Sequence, residues 1–98
     1  MSGRDTLIGA AAAVARLPAW DAVPDRDAIH RHYHFQDFNE AFAFMTRVAH
    51  EAERLDHHPE WSNSYNQVEV TLTTHSSGGV TARDLALARF MDAAAVER

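Results

Sequence analysis

The sequence contains no cysteine, which rules out both a disulfide framework and a thiolate-bound zinc site. Proline and glycine are scarce, at three and four residues among 98. No linker, repeat or low-complexity tract divides the chain, so one domain over residues 1–98 is the expected organisation. No run approaches the roughly 20 apolar residues of a membrane span. Ile8 to Val14 is apolar, but alanine dominates it and Arg16 interrupts it, whereas a secretory signal needs a bulkier segment and a cleavage site. A cytoplasmic protein without membrane contact is expected. Positive charge is also short: nine basic residues, scattered as single arginines, face fourteen acidic ones, for a formal net charge of -5. Affinity for nucleic acid draws on clustered cationic side chains that neutralise phosphates, so direct DNA or RNA binding is disfavoured. A chain of this mass buries roughly 65% of its unfolded surface, enough for one core with little margin. Small domains of this kind often gain stability by oligomerising.

What the chain does have is histidine, seven in all, the side chain whose ordinary pKa lies nearest physiological pH. The elements around them can be placed by period and punctuation. Residues 5–17 read as a helix with Leu7, Ala11 and Val14 on one face and Pro18 closing it. Trp20 to Val23 reads as a short strand before a turn at Pro24-Asp25. Residues 28–35 alternate: Ile29, Tyr33 and Phe35 point one way with Arg31, and Ala28, His30, His32 and His34 point the other. Asp37 with Glu40 marks a capped helix start, and the helix runs to about Leu55. Its apolar stripe, Phe38, Ala41, Phe42, Met45, Val48, Ala49 and Ala52, is widened by Phe44 and Leu55. That is broader than one sheet face needs, and part of it, Phe44 included, is expected to meet another subunit or a helical partner. Trp61 to Tyr65 and Val68 to Thr74 read as two strands joined through Asn66-Gln67, with Val68, Val70 and Leu72 facing the core. Gly78-Gly79 breaks the run, and Thr81 with Asp84 caps a last helix. The order α-β-β-α-β-β-α predicts an α+β fold of two layers: a four-stranded antiparallel sheet with helices packed on one face.

Chemistry can gather where these elements end. Glu53 lies near the end of the second helix, His57-His58-Pro59 follows in a loop that the proline stiffens, His75 ends the last strand, and Asp84 opens the last helix. Imidazoles can serve as acid or base near neutral pH, and carboxylates beside them can fix a tautomer or bind polar N–H groups. The bland alternative is surface histidines with a helix cap. His30, His32 and His34 share a strand face, but no carboxylate is placed in sequence to complete a metal shell, and His57, His58 and His75 lack the usual ligand-pair spacing; no metal is expected. Ser62 and Ser64 lack a nucleophile elbow, and Gly78-Gly79 lacks the sequence of a phosphate loop. Trp20, Trp61 and Tyr65 are candidates to stack a flat heterocycle or are ordinary core and rim aromatics.

The run Glu53-Arg54-Leu55-Asp56-His57-His58-Pro59-Glu60-Trp61, then Tyr65, His75 and Asp84, resembles the pterin-4a-carbinolamine dehydratase family. So does the stretch from Asp37-Phe38-Asn39 to Phe44-Met45-Thr46-Arg47-Val48-Ala49, and the likeness covers roughly residues 18 to 95. The resemblance implies a hydro-lyase that converts 4a-hydroxytetrahydropterin to quinonoid dihydropterin and water, without a cofactor. It implies catalytic roles for His57, His58 and His75, with Asp84 as supporting carboxylate. It also implies a substrate pocket of Glu53, Asp56, Thr74 and Ser76, with Trp20 nearby, and assembly as a homodimer or homotetramer. A vertebrate member of the family doubles as a dimerisation cofactor and transcriptional coactivator, which leaves a non-enzymatic partner-binding role as the alternative. The loop Ser76-Ser77-Gly78-Gly79 departs from the vertebrate pattern.

Overall fold

The structure, a computed structural model, describes residues 6–96. Its elements follow the predicted order: α1 (Ala10–Val14), β1 (Asp21–Ala22), β2 (Ile29–His34), α2 (Phe38–Leu55), β3 (Glu60–Ser64), β4 (Gln67–Leu72), a 3-10 turn (His75–Ser77) and α3 (Ala82–Val96). The strands form one antiparallel sheet in the order β1-β2-β4-β3. Strict alternation sets its two faces. Ile29, Tyr33, Val68, Val70 and Leu72 are buried beneath the helices with Phe44, Val48, Leu85, Leu87 and Met91. His30, His32 and His34 lie on the open face beside strand neighbours: His30 Nε2 is 3.3 Å from Glu69 Oε1, and His32 Nε2 is 2.9 Å from Gln67 Oε1. Ala28, expected on that side, is fully buried just before β2 begins.

Four expectations need correcting. The first helix is only Ala10–Val14, not residues 5–17. Gly9 at φ 89° is non-helical, the N–H groups of Ile8 and Gly9 are taken by the Val80 carbonyl, and residue 5 lies outside the described residues. Past Val14 the chain tightens, with Arg16 and Leu17 donating to carbonyls three residues back. The hairpin turn is Tyr65-Asn66, and Gln67 already belongs to β4, paired with Ser64; Tyr65 takes the positive φ of 51°. His75 does not end a strand: β4 stops at Leu72, and His75 opens the short 3-10 turn. Finally, Phe44 is not an interface residue but core, 1% exposed. The large apolar side chains of α2 left outside are Phe38 and Phe42, whose rings lie 5.7 Å apart.

The ends of α2 and α3 are shaped by local chemistry. Asp37 accepts from the Glu40 N–H at 2.9 Å, and the Glu40 carboxylate accepts from the Gln36 N–H at 2.9 Å. These bonds satisfy two backbone donors at the helix entrance. At the other end Asp56 adopts a left-handed conformation (φ 53°, ψ 46°). The His57 N–H then bonds the Ala52 carbonyl and the Asp56 N–H the Glu53 carbonyl, a Schellman closure that reverses the chain directly before the two histidines.

Candidate active site

That reversal aims His57 and His58 at the rim where β4 ends and α3 begins. There Asp56, His57, His58, Thr73, Thr74, His75, Ser76 and Arg83 line a cleft of about 470 Å³. Four separate pieces of chain supply it: the exit of α2, the exit of β4, the 3-10 turn and the first turn of α3. The turn is held in place by Thr74, whose backbone pairs with Gly79 in an isolated bridge. A Cβ on Gly79 would run into the Asp27 carboxylate, which would have to shift to admit it.

Each of the three cleft imidazoles has its Nε2 against a carboxylate. His57 Nε2 lies 2.5 Å from Asp84 Oδ1, His58 Nε2 2.6 Å from Glu53 Oε2, and His75 Nε2 3.2 Å from Glu60 Oε2. Their surroundings differ. His57 is buried and Asp84 fully so, whereas the His58–Glu53 and His75–Glu60 pairs are exposed to solvent. Asp84 is held on its other oxygen as well: Oδ2 accepts from the Thr74 hydroxyl at 2.8 Å and from the Thr81 N–H at 2.9 Å. Since Thr74 gives its hydrogen to Asp84, the Thr81 hydroxyl, 2.8 Å from Thr74 Oγ1, donates to Thr74. The result is a network that converges on Asp84, with Thr81 donating through Thr74 from one side and His57 donating from the other.

Of the site residues read from the sequence, His57, His58, His75, Asp56, Thr74 and Ser76 line the cleft directly. Asp84 stands behind His57, and Glu53 reaches His58 from α2. Trp20 is placed elsewhere. It is 2% exposed, its Nε1 donates to the Asp92 carboxylate at 3.0 and 3.1 Å, and its ring packs edge-on against Tyr33. Asp92 also receives Arg31 Nη1 at 2.6 Å and the Tyr33 hydroxyl at 2.5 Å. Burial, then the bond to Asp92, pushes the Tyr33 hydroxyl above its ordinary pKa. Trp61 and Tyr65 do not line the cleft either. Among the described residues no three His, Asp or Glu side chains converge as metal ligands, and no helix is long and apolar enough to cross a membrane.

The family profile described as pterin 4 alpha carbinolamine dehydratase matches residues 7–94. This chain belongs to that family. A Burkholderia cenocepacia protein carrying the provisional name pterin-4-alpha-carbinolamine dehydratase is 63% identical over 79 residues, covering 81% of this chain and 78% of that one. A Bordetella avium protein of the same provisional name is 53% identical over 97 residues, covering 99% and 90%. Among solved structures, a transcriptional coactivator/pterin dehydratase from Brucella melitensis is 53% identical and superposes with a TM-score of 0.83 over 85% of this chain and 88% of its own. A pterin dehydratase-like RuBisCO assembly factor of the alpha-carboxysome shares the fold at 22% identity, with a TM-score of 0.68 over 79% and 89%. The dehydratase family match reaches back to residue 7, earlier than the motifs near residue 18 from which the resemblance is legible.

Two residues of this dehydratase-family chain, one lining the cleft and one beside it, escape a reading of motifs. Arg83 lines the cleft from α3, with Nη1 3.4 Å from the Asp56 carbonyl. Glu60 approaches His75 from the start of β3, and Arg26 grips Glu60 through two bonds of 2.8 Å. The Arg26 hydrogen bond holds the Glu60 carboxyl at about 2, well below the usual range, with burial opposing the shift. Glu60 stands beside Pro59 in the family run, but nothing in its spacing announces a link to Arg26 or His75.

Proposed function

We propose that this protein is a 4a-hydroxytetrahydropterin dehydratase, a hydro-lyase of tetrahydropterin recycling that works by histidine general acid–base catalysis. The observation that carries the reading is the shared cleft of His57, His58 and His75, each with one ring nitrogen against a carboxylate. Each ring thereby keeps its Nδ1 for a ligand. In the elimination a base takes the proton from the pterin ring nitrogen, the carbon–oxygen bond breaks, and an acid delivers a proton to the departing hydroxide. A carbon–nitrogen double bond and water result. The step is redox-neutral, and its atoms balance without a cofactor. Positioned proton transfers contribute roughly 10²–10⁴-fold each. Asp84 orients His57, Glu53 orients His58, and Asp56, Thr74 and Ser76 supply polar groups for the edge of the bicyclic ring. The test is stopped-flow absorbance on freshly generated pterin-4a-carbinolamine. The protein is expected to accelerate dehydration above the spontaneous rate, and an unchanged rate overturns the reading.

A second reading, a dimerisation cofactor or transcriptional coactivator that takes a helical partner, is favoured by Phe38 and Phe42, 45% and 56% exposed on one side of α2. The same pair supports self-assembly as a homodimer or homotetramer in the cytoplasm. Phe42→Glu should lower the sedimentation coefficient, or abolish partner capture, while dehydration proceeds. A variant that sediments and binds like the parent removes α2 as the interface.

A further inference from the structure

Glu60 and Arg26 lie outside the set of groups assigned to the reaction, yet they converge on one of its histidines. Arg26 Nη1 donates to Glu60 Oε1 and Nη2 to Oε2, each at 2.8 Å, so the guanidinium fixes both the position and the plane of the carboxylate. Glu60 Oε2 then lies 3.2 Å from His75 Nε2. The His75 side chain is 81% exposed, and among the described residues Glu60 is its hydrogen-bond partner. Without that contact, little would hold the ring in one rotamer or one tautomer. Arg26 comes from the turn between β1 and β2, Glu60 from the start of β3, and His75 from the 3-10 turn, so three remote segments meet in a single chain of contacts.

The chemistry of that chain has one consistent arrangement. With Arg26 beside it, the Glu60 carboxyl stays ionised down to about 2. An ionised carboxylate only accepts hydrogen bonds, so the hydrogen shared with His75 sits on Nε2. We propose that Arg26 and Glu60 are positioning residues for His75, holding its neutral ring as the Nε2–H tautomer and presenting Nδ1 to the cleft. The catalytic consequence rests on the dehydratase reading; the tautomer itself does not.

The two can be tested separately. Long-range ¹H–¹⁵N spectra of the full chain with ¹⁵N-labelled histidine report which ring nitrogen carries the hydrogen. His75 is expected to show a protonated Nε2 and a bare Nδ1, while in Glu60→Ala and Arg26→Met the two shifts draw together. Glu60→Gln should relax the lock as well, because an amide both donates and accepts. The His57 and His58 signals, set by Asp84 and Glu53, should stay in place and report an intact fold. A parent His75 with its hydrogen on Nδ1, or one unaltered by Glu60→Ala, overturns the proposal. In the kinetic arm, kcat/KM for carbinolamine dehydration is expected to fall about 10-fold or more in Glu60→Gln, the scale of losing an orienting partner. A variant with relaxed tautomer and parental kcat/KM removes the positioning role. If the parent shows the lock but accelerates no dehydration, the Arg26–Glu60–His75 arrangement stands and the enzyme reading fails.

Discussion

Asp84 has no exposed surface, and burying a carboxylate is costly unless its oxygens are satisfied. Here one oxygen takes His57 and the other takes Thr74 and the Thr81 N–H. In the sequence these looked like rival roles, a helix cap or a catalytic support; a carboxylate has two oxygens, and Asp84 fills both. Removing it with Asp84→Ala leaves buried donors on His57, Thr74 and Thr81 without an acceptor, at roughly 1–3 kcal/mol for such a group and more if the network cannot rearrange. Urea unfolding should therefore show a loss of about 3 kcal/mol. Asp84→Asn keeps the volume but puts an amide donor where one of three donors must be received. A smaller stability loss, roughly 1–2 kcal/mol, is expected, and under the proposed dehydratase function it should accompany dehydration at least about 100-fold slower, because His57 loses its orienting acceptor. An Asn variant as active as the parent would show that Asp84 serves only as the cap. The glutamate on His75 could not be read in this way. Fifteen positions separate Glu60 from His75, and their meeting depends on the register of β3 on β4, which sets Glu60 opposite Thr71.

Elements were legible where a local rule decides them. Both helix caps and the alternation of β2 and β4 follow from nearest neighbours in sequence, and the structure has them. The face of α2 was not decided locally. Its apolar stripe spans nearly half the helix circumference, and periodicity alone does not say which arc the sheet covers. The buried residues are Ala41, Phe44, Val48 and Ala52, so the covered face is turned by roughly 60° from the centre of the predicted stripe, leaving Phe38 and Phe42 to solvent. The hairpin shifted by one residue for a similar reason: without an Asn-Gly pair, strand pairing placed the turn, and Tyr65 took the unfavourable φ. The exit of α2 shows a comparable strain. Its left-handed position, where helices favour glycine or asparagine, holds Asp56, which also lines the cleft. Asp56→Asn should then be neutral or stabilising by up to about 1 kcal/mol in urea unfolding. If the carboxylate binds a pterin N–H group, the same variant raises KM for the carbinolamine. Asp56→Asn that destabilises the fold would mean that the charge, not the backbone, matters at this turn.

At the scale of the whole molecule, the bidentate Arg26–Glu60 pair ties the turn after β1 to the start of β3, strands at opposite edges of the sheet. The strand ladder joins these segments only through β2 and β4, so the pair adds a direct tie across one end of the sheet beside the cleft. Both side chains are about 40% exposed, at 42% and 43%. Solvent therefore screens the pair, and its contribution to stability is the small one of a surface ion pair. Its pH dependence has a definite sign. The Glu60 carboxyl titrates at about 2 in the folded protein against 4.5 ordinarily, so the unfolded chain takes up its proton first as acid is added. The contribution of Glu60 is complete above its ordinary value, shrinks as pH falls from there, and is gone once pH passes through about 2. Parallel urea titrations of the parent and Glu60→Gln between pH 7 and pH 2, both carrying His75→Ala to remove the histidine that touches Glu60, isolate it, because the remaining carboxylates and histidines titrate in both proteins and cancel in the difference. The difference in unfolding free energy should be flat above pH 5 and decline steadily below pH 4. The same difference measured in an Arg26→Met background should lose most of this slope, since Arg26 is the main cause of the lowered value. A parent-minus-variant difference independent of pH would mean that Glu60 and Arg26 do not hold each other in solution, and the sheet edge near His75 would then lack the tie that the structure gives it.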